Sequence, residues 1–159
     1  MTDIENRFSV RRVDARELHE LRRRVLRSND PARSVTDSRD EEPTARHYAG
    51  FLGERLVVSA SFYPSTPPVN AELCTYQLRY MATDFDVQGL GYGALVLDYA
   101  IGELKELGAQ QIWANGRDSA LGFYRRTGWS TLEGSEHLSP ETNLAHTVIF
   151  KKLLGSAET

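Results

Sequence analysis

Gln88-Gly89-Leu90-Gly91-Tyr92-Gly93 is the most informative part of this 159-residue sequence, because three glycines stand within five residues. A predicted strand over residues 72–83 precedes it. An apolar repeat typical of a helix follows over residues 94–107, with an inner face of Leu97, Ala100, Ile101, Leu104 and Leu107. A helix start offers unpaired backbone N–H groups and the positive end of the helix dipole, and glycine lets a phosphate group approach them closely. The pattern predicts a main-chain cradle for a diphosphate over residues 88–94; the alternative is a tight turn that only packs the helix.

Two known phosphate-binding patterns fit this stretch poorly. A P-loop requires Lys followed by Ser or Thr after its last glycine, and Ala94-Leu95 stand there instead. A dinucleotide-binding loop requires G-x-G-x-x-G/A, which Gly89, Gly91 and Ala94 satisfy. Its context is poor, because no acidic residue ends the next predicted strand, where Asn115 stands. A dinucleotide-dependent oxidoreductase therefore stays an alternative function.

The rest of the chain predicts a single mixed α/β domain over residues 1–159, with its core at about 7–153 and a frayed tail at 154–159. The predicted element order is β-α-β-β-β-α-β-α-β-β. This order favours antiparallel strands first, then a parallel β-α-β unit, with helices on both faces of the sheet. The first helix is predicted over about 15–27, with a capping box of Asp14 and Glu17 at its start. The polar segment 28–45 is predicted to be a long loop, and 134–143 a second polar loop. An extended stretch at 47–51, a turn at Gly53-Glu54 and a stretch rich in Val and aromatic residues at 56–62 predict a hairpin.

Composition excludes several classes of protein. The net charge of -3 disfavours a dedicated nucleic-acid binder. No apolar run approaches the ~18 residues of a membrane span, and the first residues do not resemble a secretion signal, so we expect a cytoplasmic protein without a membrane partner. The single cysteine, Cys74, excludes an internal disulfide and a cysteine-rich metal site, and we expect it to be a buried small residue.

A family resemblance rests on the glycine stretch and on the block after it. Residues 88–93 match, position by position, the Gln/Arg-x-x-Gly-x-Gly/Ala signature of the GCN5-related N-acetyltransferase (GNAT) superfamily. Residues 112–129 resemble the family's next block, a strand ending in Asn115 and a helix carrying Phe123-Tyr124 before Gly128-Trp129. The resemblance is strong over about residues 72–130. It implies a GNAT-like fold and transfer of an acetyl group from acetyl-CoA to a primary amine of a small molecule or peptide, without a metal.

The resemblance also implies where acetyl-CoA binds. In this family it lies where two neighbouring strands separate, here residues 72–83 and 111–115, with the diphosphate on the cradle and the pantetheine arm along the first strand. The cofactor-binding residues implied are Met81, Ala82, Thr83, Gln88, Gly89, Leu90, Gly91, Tyr92, Gly93, Ala94, Asn115, Ala120, Phe123 and Arg126. A non-catalytic acyl-CoA-binding module is the remaining alternative.

Tyr124 matches the tyrosine that the family uses as a general acid. A phenol with a pKa near ~10 stays protonated at neutral pH and can donate to a thiolate whose conjugate acid has a pKa of roughly 8.5. The sequence does not identify the general base. The candidates are Asp40, Glu41, Glu42, His47 and His146, and a chain of water molecules could also serve. We select His146 as a weak candidate, because a neutral imidazole suits the task.

The sequence says least about the identity of the acceptor amine and about the oligomeric state. Arg24, His47 and Arg79 are candidates for binding the acceptor, and their guanidinium groups could hold its carboxylate or phosphate. The last predicted strand is expected at an edge of the sheet, where it could pair across a homodimer.

Overall fold

The computed structural model of the chain describes residues 7–153 and contains the predicted order of elements with one strand added. The predicted tail at 154–159 lies outside the described residues. The strands are β1 (Phe8–Arg12), β2 (Arg46–Leu52), β3 (Arg55–Pro64), β4 (Thr75–Thr83), β5 (Gln111–Arg117), β6 (Ser130–Thr131), β7 (His137–Leu138) and β8 (Ala145–Lys152). The main helices are α1 (residues 15–26), α2 (Tyr92–Glu106) and α3 (Leu121–Arg126), with 3₁₀ turns at Phe85–Val87 and Asp118–Ala120. No helix among these residues is long and apolar enough to cross a membrane.

The chain divides into two compact units, and β4 contributes to both. Within the described residues, unit 1 consists of residues 7–63 and Arg79–Glu103, and unit 2 of Pro64–Leu78 and residues 104–153. In unit 1, β1 pairs antiparallel with β2, and β2 pairs antiparallel with β3. The predicted hairpin is confirmed, with its turn at Gly53, whose φ is 59°.

Helix α1 is a composite of three short pieces. It begins with a 3₁₀ turn (Ala15–Leu18), continues as one α turn (His19–Leu21) and ends as a π turn (Arg22–Leu26). The predicted capping box is present, because Asp14 and Glu17 cap each other's backbone. The sequence pattern indicated one regular helix over 15–27, and it did not predict the π turn.

Helix α2 packs its apolar face into the protein through Leu97, Ala100 and Leu104, as the periodicity predicted. Leu107 was expected on that face and is instead 51% exposed, because the helix ends at Glu106. The turn that follows contains Gly108 with φ of 93°, a left-handed conformation that glycine adopts without strain.

Unit 2 is built around β8. Seven residue pairs join β5 antiparallel to β8, and both β6 and β7 also pair with β8. β7 lies within residues 134–143, which were predicted to be a loop. The last strand, β8, has a paired strand on each side, so the prediction that it forms an edge of the sheet is wrong. The expected pairing of β8 across a homodimer depended on that edge and loses its basis.

β4 is shorter than predicted at its start. It begins at Thr75 and pairs parallel with β5 over three residue pairs, from Thr75 with Gln111 to Gln77 with Trp113. Cys74, immediately before the strand, is exposed, so its expected burial is wrong. Its backbone carbonyl accepts the N–H groups of Gln110 and Gln111 at the entrance to the strand, which leaves the thiol outside the packed interior.

Candidate active site

The cradle is an exposed turn between β4 and α2. Gly89 and Gly91 have φ of 82° and 89°, which side chains other than glycine rarely adopt. The Gln88 side chain donates to the Thr83 carbonyl at 3.0 Å and so connects the turn to the end of β4. On the helix side, the Tyr92 ring stacks on Phe8 with ring centroids 4.3 Å apart.

The start of α2 presents free backbone donors. Leu95 is the first residue whose N–H bonds back to this turn, to the Gly91 carbonyl at 3.2 Å. Among residues 7–153, no acceptor is found for the N–H groups of Tyr92, Gly93 and Ala94, as expected at a helix start. A Cβ added to Gly89 or Gly91 would meet no atom within 4 Å, so the space in front of both glycines is open. These features fit a diphosphate.

The second half of β4 leads to the cradle and contains an unusual backbone conformation. Tyr80 has φ of 57°, which costs an aromatic residue on the order of 1–3 kcal/mol. Its ring lies against the guanidinium groups of Arg22 and Arg79, at 4.0 and 4.6 Å, and its hydroxyl donates to the Thr36 carbonyl at 3.1 Å. These contacts hold the strand in this conformation next to Met81, Ala82 and Thr83.

In unit 2, the predicted donor-binding residues lie on β5 and on the helical segment after it. Asn115 is exposed near the end of β5, and its side chain forms no hydrogen bond within the described part of the chain. Ala120 ends the 3₁₀ turn before α3 and is partly exposed, as is Phe123. Arg126 is exposed at the end of α3.

Tyr124 is the buried residue of the Phe123-Tyr124 pair, with an exposed fraction of 6%. Its ring packs edge-on against Phe123 and Trp129, each with centroids 5.2 Å away. Burial raises the pKa of the Tyr124 hydroxyl well above its usual value. No residue within 7–153 forms a hydrogen bond with this hydroxyl, so it is a protonated donor that the fold itself does not use.

Comparison with known proteins assigns the chain to a family. A model of the Acetyltransferase (GNAT) family matches residues 15–129. The chain belongs to this family. The protein named "Uncharacterized N-acetyltransferase YitI" of Bacillus subtilis (strain 168) is 28% identical to this acetyltransferase over 146 residues, which cover 92% of this chain and 97% of YitI. The predicted enzyme class, an N-acetyltransferase, is confirmed.

Solved structures with low sequence identity share the fold of the acetyltransferase. ElaA of Escherichia coli superposes with a TM-score of 0.70 at 15% identity, over 91% of this chain and 99% of ElaA. A structure described as aminoglycoside 6'-N-acetyltransferase complexed with coenzyme A gives 0.69 at 12% identity, over 92% and 98% of the two chains. The predicted GNAT-like mixed α/β fold is confirmed.

His146, the candidate base, lies on β8 in unit 2 and is 8% exposed. Its Nδ1 lies 2.8 Å from the Leu144 carbonyl. A carbonyl oxygen only accepts, so Nδ1 carries the proton and Nε2 is the basic atom of the neutral ring. Burial lowers the pKa of His146 and favours this neutral form.

His47, a candidate for acceptor binding, belongs instead to a buried polar network in unit 1 of the acetyltransferase. Arg22, which is fully buried, bonds Asp40 at 2.9 Å and donates to Ser61 at 2.8 Å. Ser61 is 2.7 Å from His47 Nδ1, and His47 Nε2 is 2.9 Å from the Asp40 carbonyl. Tyr63 donates to the Asp40 carboxylate. Both ring nitrogens of His47 are therefore engaged inside the fold, which the sequence did not indicate.

The two arginines that were candidates for acceptor binding are ion-paired. Arg24 bonds Asp84 and also Glu20, the latter at 2.9 Å. Arg79 donates to Asp37 at 2.8 Å, and its side chain keeps an exposed fraction of 23%. The Arg24 side chain is the more exposed of the two, at 33%, but its Nε and both Nη groups already bond carboxylates. Arg79 stands at a fixed position on β4.

The stability of the acetyltransferase is expected to fall as the pH decreases below about 6.5. Burial lowers the pKa of His47, and also that of His19 and of His146. A histidine of this kind is neutral when folded, and unfolding takes up a proton once the pH is below the unfolded pKa of about 6.5. The stabilisation is complete above that pH, and each histidine contributes at most about 1.4 kcal/mol per pH unit to the loss below it.

Urea unfolding between pH 8 and pH 5 measures this dependence. We expect His47→Gln to lower the free energy of unfolding at pH 8, because the buried bonds are lost, and to flatten its decline toward pH 5. An equal decline in the wild type and in His47→Gln would show that His47 does not titrate on unfolding.

Proposed function

We propose that this acetyltransferase transfers an acetyl group from acetyl-CoA to a primary amine of a small molecule or peptide. The observation that carries the proposal is the cradle, with its two positive-φ glycines, the open space before them and the free N–H groups of residues 92–94. A helix start attracts negative charge, and its N–H groups bond phosphate oxygens. Coenzyme A carries such a diphosphate, and acetyl-CoA is the donor that the family resemblance implies.

The residues proposed to hold the donor are those that the family resemblance implies. In unit 1, the cradle over residues 88–94 binds the diphosphate. The backbone of Met81, Ala82 and Thr83 pairs with the pantetheine arm, as an added strand would, beyond the point where pairing of β4 with β5 stops at Gln77. In unit 2, the proposed contacts are Asn115, Ala120, Phe123 and Arg126.

Proton transfer is proposed to depend on Tyr124 and His146. When bound, acetyl-CoA supplies an activated carbonyl and a sulfur leaving group. Tyr124 donates a hydrogen bond or its proton to that sulfur, since its hydroxyl is protonated and has no partner among the described residues. His146 takes the proton of the attacking amine at Nε2, the basic atom of its neutral ring.

Arg79 is the residue we propose for the acceptor. Its guanidinium is partly exposed, and Asp37 fixes its position, so a carboxylate or phosphate of the acceptor could bond to it. The bonds of Arg24 and His47 favour a different role, in which both hold unit 1 together.

Calorimetry and a turnover assay test the proposed function on the wild-type protein. We expect coenzyme A and acetyl-CoA to bind and NAD not to bind. A panel of primary amines, with and without a carboxylate, is then incubated with acetyl-CoA, and the acetylated amine is detected by mass spectrometry. Binding of NAD without coenzyme A would favour the oxidoreductase. Binding of coenzyme A with no acetylation across the panel would favour a non-catalytic acyl-CoA-binding module.

A further inference from the structure

An ion-pair network lies at the end of β4, directly before the cradle. The Asp84 carboxylate accepts both Nη groups of Arg24, at 2.5 and 3.0 Å, and Nη2 of Arg55 at 2.9 Å. Arg55 also bonds both carboxylate oxygens of Asp86, at 2.9 and 2.6 Å. We call Arg24, Arg55, Asp84 and Asp86 the β4-end network. It joins α1, the start of β3 and the turn after β4, all within unit 1.

Asp84 is the centre of this network and is only 3% exposed. Its side chain also accepts the N–H of Phe85 at 2.9 Å. Its backbone N–H donates to the Val57 carbonyl at 2.8 Å, and its carbonyl accepts the N–H of Val87 at 3.1 Å. A buried carboxylate is tolerated only when donors satisfy it, and here the donors come from three elements. Together these bonds fix the direction in which the chain leaves β4.

The cradle needs support of this kind from its flanks. Gly89 and Gly91 adopt the required backbone angles because glycine is conformationally free, and the same freedom means that they do not hold the turn rigidly. Hydrogen bonds from N–H groups weaken steeply when their angle is wrong. At the end of the cradle where α2 begins, the Tyr92 ring stacks on Phe8 and holds the backbone in place. On the strand side, the 3₁₀ turn at Phe85–Val87 connects Asp84 to the first cradle residue, Gln88.

We propose that Asp84 is a positioning residue for the cradle, held by Arg24 and Arg55, and that it aims the backbone N–H groups of residues 89–94 at the diphosphate of the donor. This inference rests on the proposed function, in which the cradle binds coenzyme A. Asp84 touches no part of the donor itself. The attraction of two guanidinium groups, which also lowers the pKa of Asp84 to about 2, keeps the carboxylate charged at any pH at which the enzyme is assayed.

Asp84→Asn is the decisive variant, because it keeps the shape of the side chain and removes the charge. The new amide group also turns two N–H donors toward arginines that can only donate. We expect the Kd for coenzyme A, measured by calorimetry, to rise about tenfold or more. In the protein without ligand, we expect faster hydrogen exchange of the backbone N–H groups of Phe85 and Val87, which bond to Asp84 just before the cradle.

Kinetics separate positioning of the cradle from a general loss of structure. With acetyl-CoA, Asp84→Asn should raise KM by about the same factor as Kd, while kcat stays within about twofold. With S-acetylpantetheine, a thioester donor that lacks the diphosphate, kcat/KM should equal the wild-type value. Arg24→Gln should weaken coenzyme A binding as well, and the double variant should be no weaker than Asp84→Asn alone, because one network is broken. Arg24→Gln carries the test should Asp84→Asn fail to fold.

Glu103→Gln is the matched control for loss of a carboxylate. Glu103 accepts Arg46 and the Tyr48 hydroxyl, each at 2.9 Å, and lies roughly 16 Å along α2 from Tyr92. The Glu103→Gln variant should have a lower melting temperature than the wild type and the same Kd for coenzyme A. The inference is overturned if Asp84→Asn keeps the wild-type Kd, if Glu103→Gln raises Kd equally, or if both thioester donors are affected alike. A wild-type protein that does not bind coenzyme A overturns the proposed function, and this inference with it.

Discussion

Gly91→Glu is expected to weaken binding of coenzyme A by at least about 100-fold. Gly91 has φ of 89°, and glutamate adopts this conformation only with strain, so the turn must change its course. The new side chain would also enter the open space before the cradle and place a negative charge where the diphosphate is proposed to bind. Calorimetry with coenzyme A measures the loss.

Gly102→Glu supplies the control for added charge and bulk. Gly102 lies in the middle of α2, is exposed, and has nothing within 4 Å of its Cβ position. This variant should bind coenzyme A like the wild type. If Gly91→Glu also kept the wild-type affinity, the cradle would not be the diphosphate site. A loss of similar size in both variants would point to a general charge effect.

Tyr124→Phe is expected to lower kcat by about 100-fold and to change the Kd for acetyl-CoA by less than about twofold. The substitution removes only the hydroxyl, and the ring packing against Phe123 and Trp129 is kept. The hydroxyl forms no hydrogen bond within residues 7–153, so its removal leaves no described group without a partner and stability should be retained. Because burial raises the pKa of Tyr124, wild-type kcat should not decline near pH 10 through loss of this proton.

Tyr99→Phe is the matched control for loss of a phenol, because Tyr99 lies on α2 and is 42% exposed. It should keep the wild-type kcat and Kd. Steady-state kinetics with an acceptor from the amine panel, together with calorimetry, give both quantities for each variant. Unchanged turnover in Tyr124→Phe would remove Tyr124 from the mechanism.

Local sequence patterns predicted most of the fold. The Gly53-Glu54 turn and the Val and aromatic residues after it located the hairpin of β2 and β3. Helical periodicity located α2 to within two residues of its ends. The cradle was predicted from three glycines, and positive φ at Gly89 and Gly91 agrees with that reasoning. In these cases the signal lies in neighbouring residues, which local conformational preferences determine.

The features that the sequence did not predict depend on contacts between distant residues. The ion pair of Arg22 with Asp40 joins α1 to the segment before β2, and nothing near either residue indicates its partner. For the same reason His47 looked available for a substrate. The position of β8 between β5 and β6 follows from strand pairing that no single stretch encodes, so its location in the sheet was predicted wrongly.

The segment between α1 and β2, residues 28–45, contains no helix or strand, yet hydrogen bonds and ion pairs fix it to the rest of unit 1. Asp40 bonds Arg22, Asp37 bonds both Arg39 and Arg79, and the Thr36 carbonyl accepts the Tyr80 hydroxyl. The conformational entropy of this segment is therefore lost once, at folding, and not again in each catalytic cycle. An acceptor that contacts it would meet a preformed wall, and discrimination between amines there would depend on fit to a stationary surface and not on loop closure.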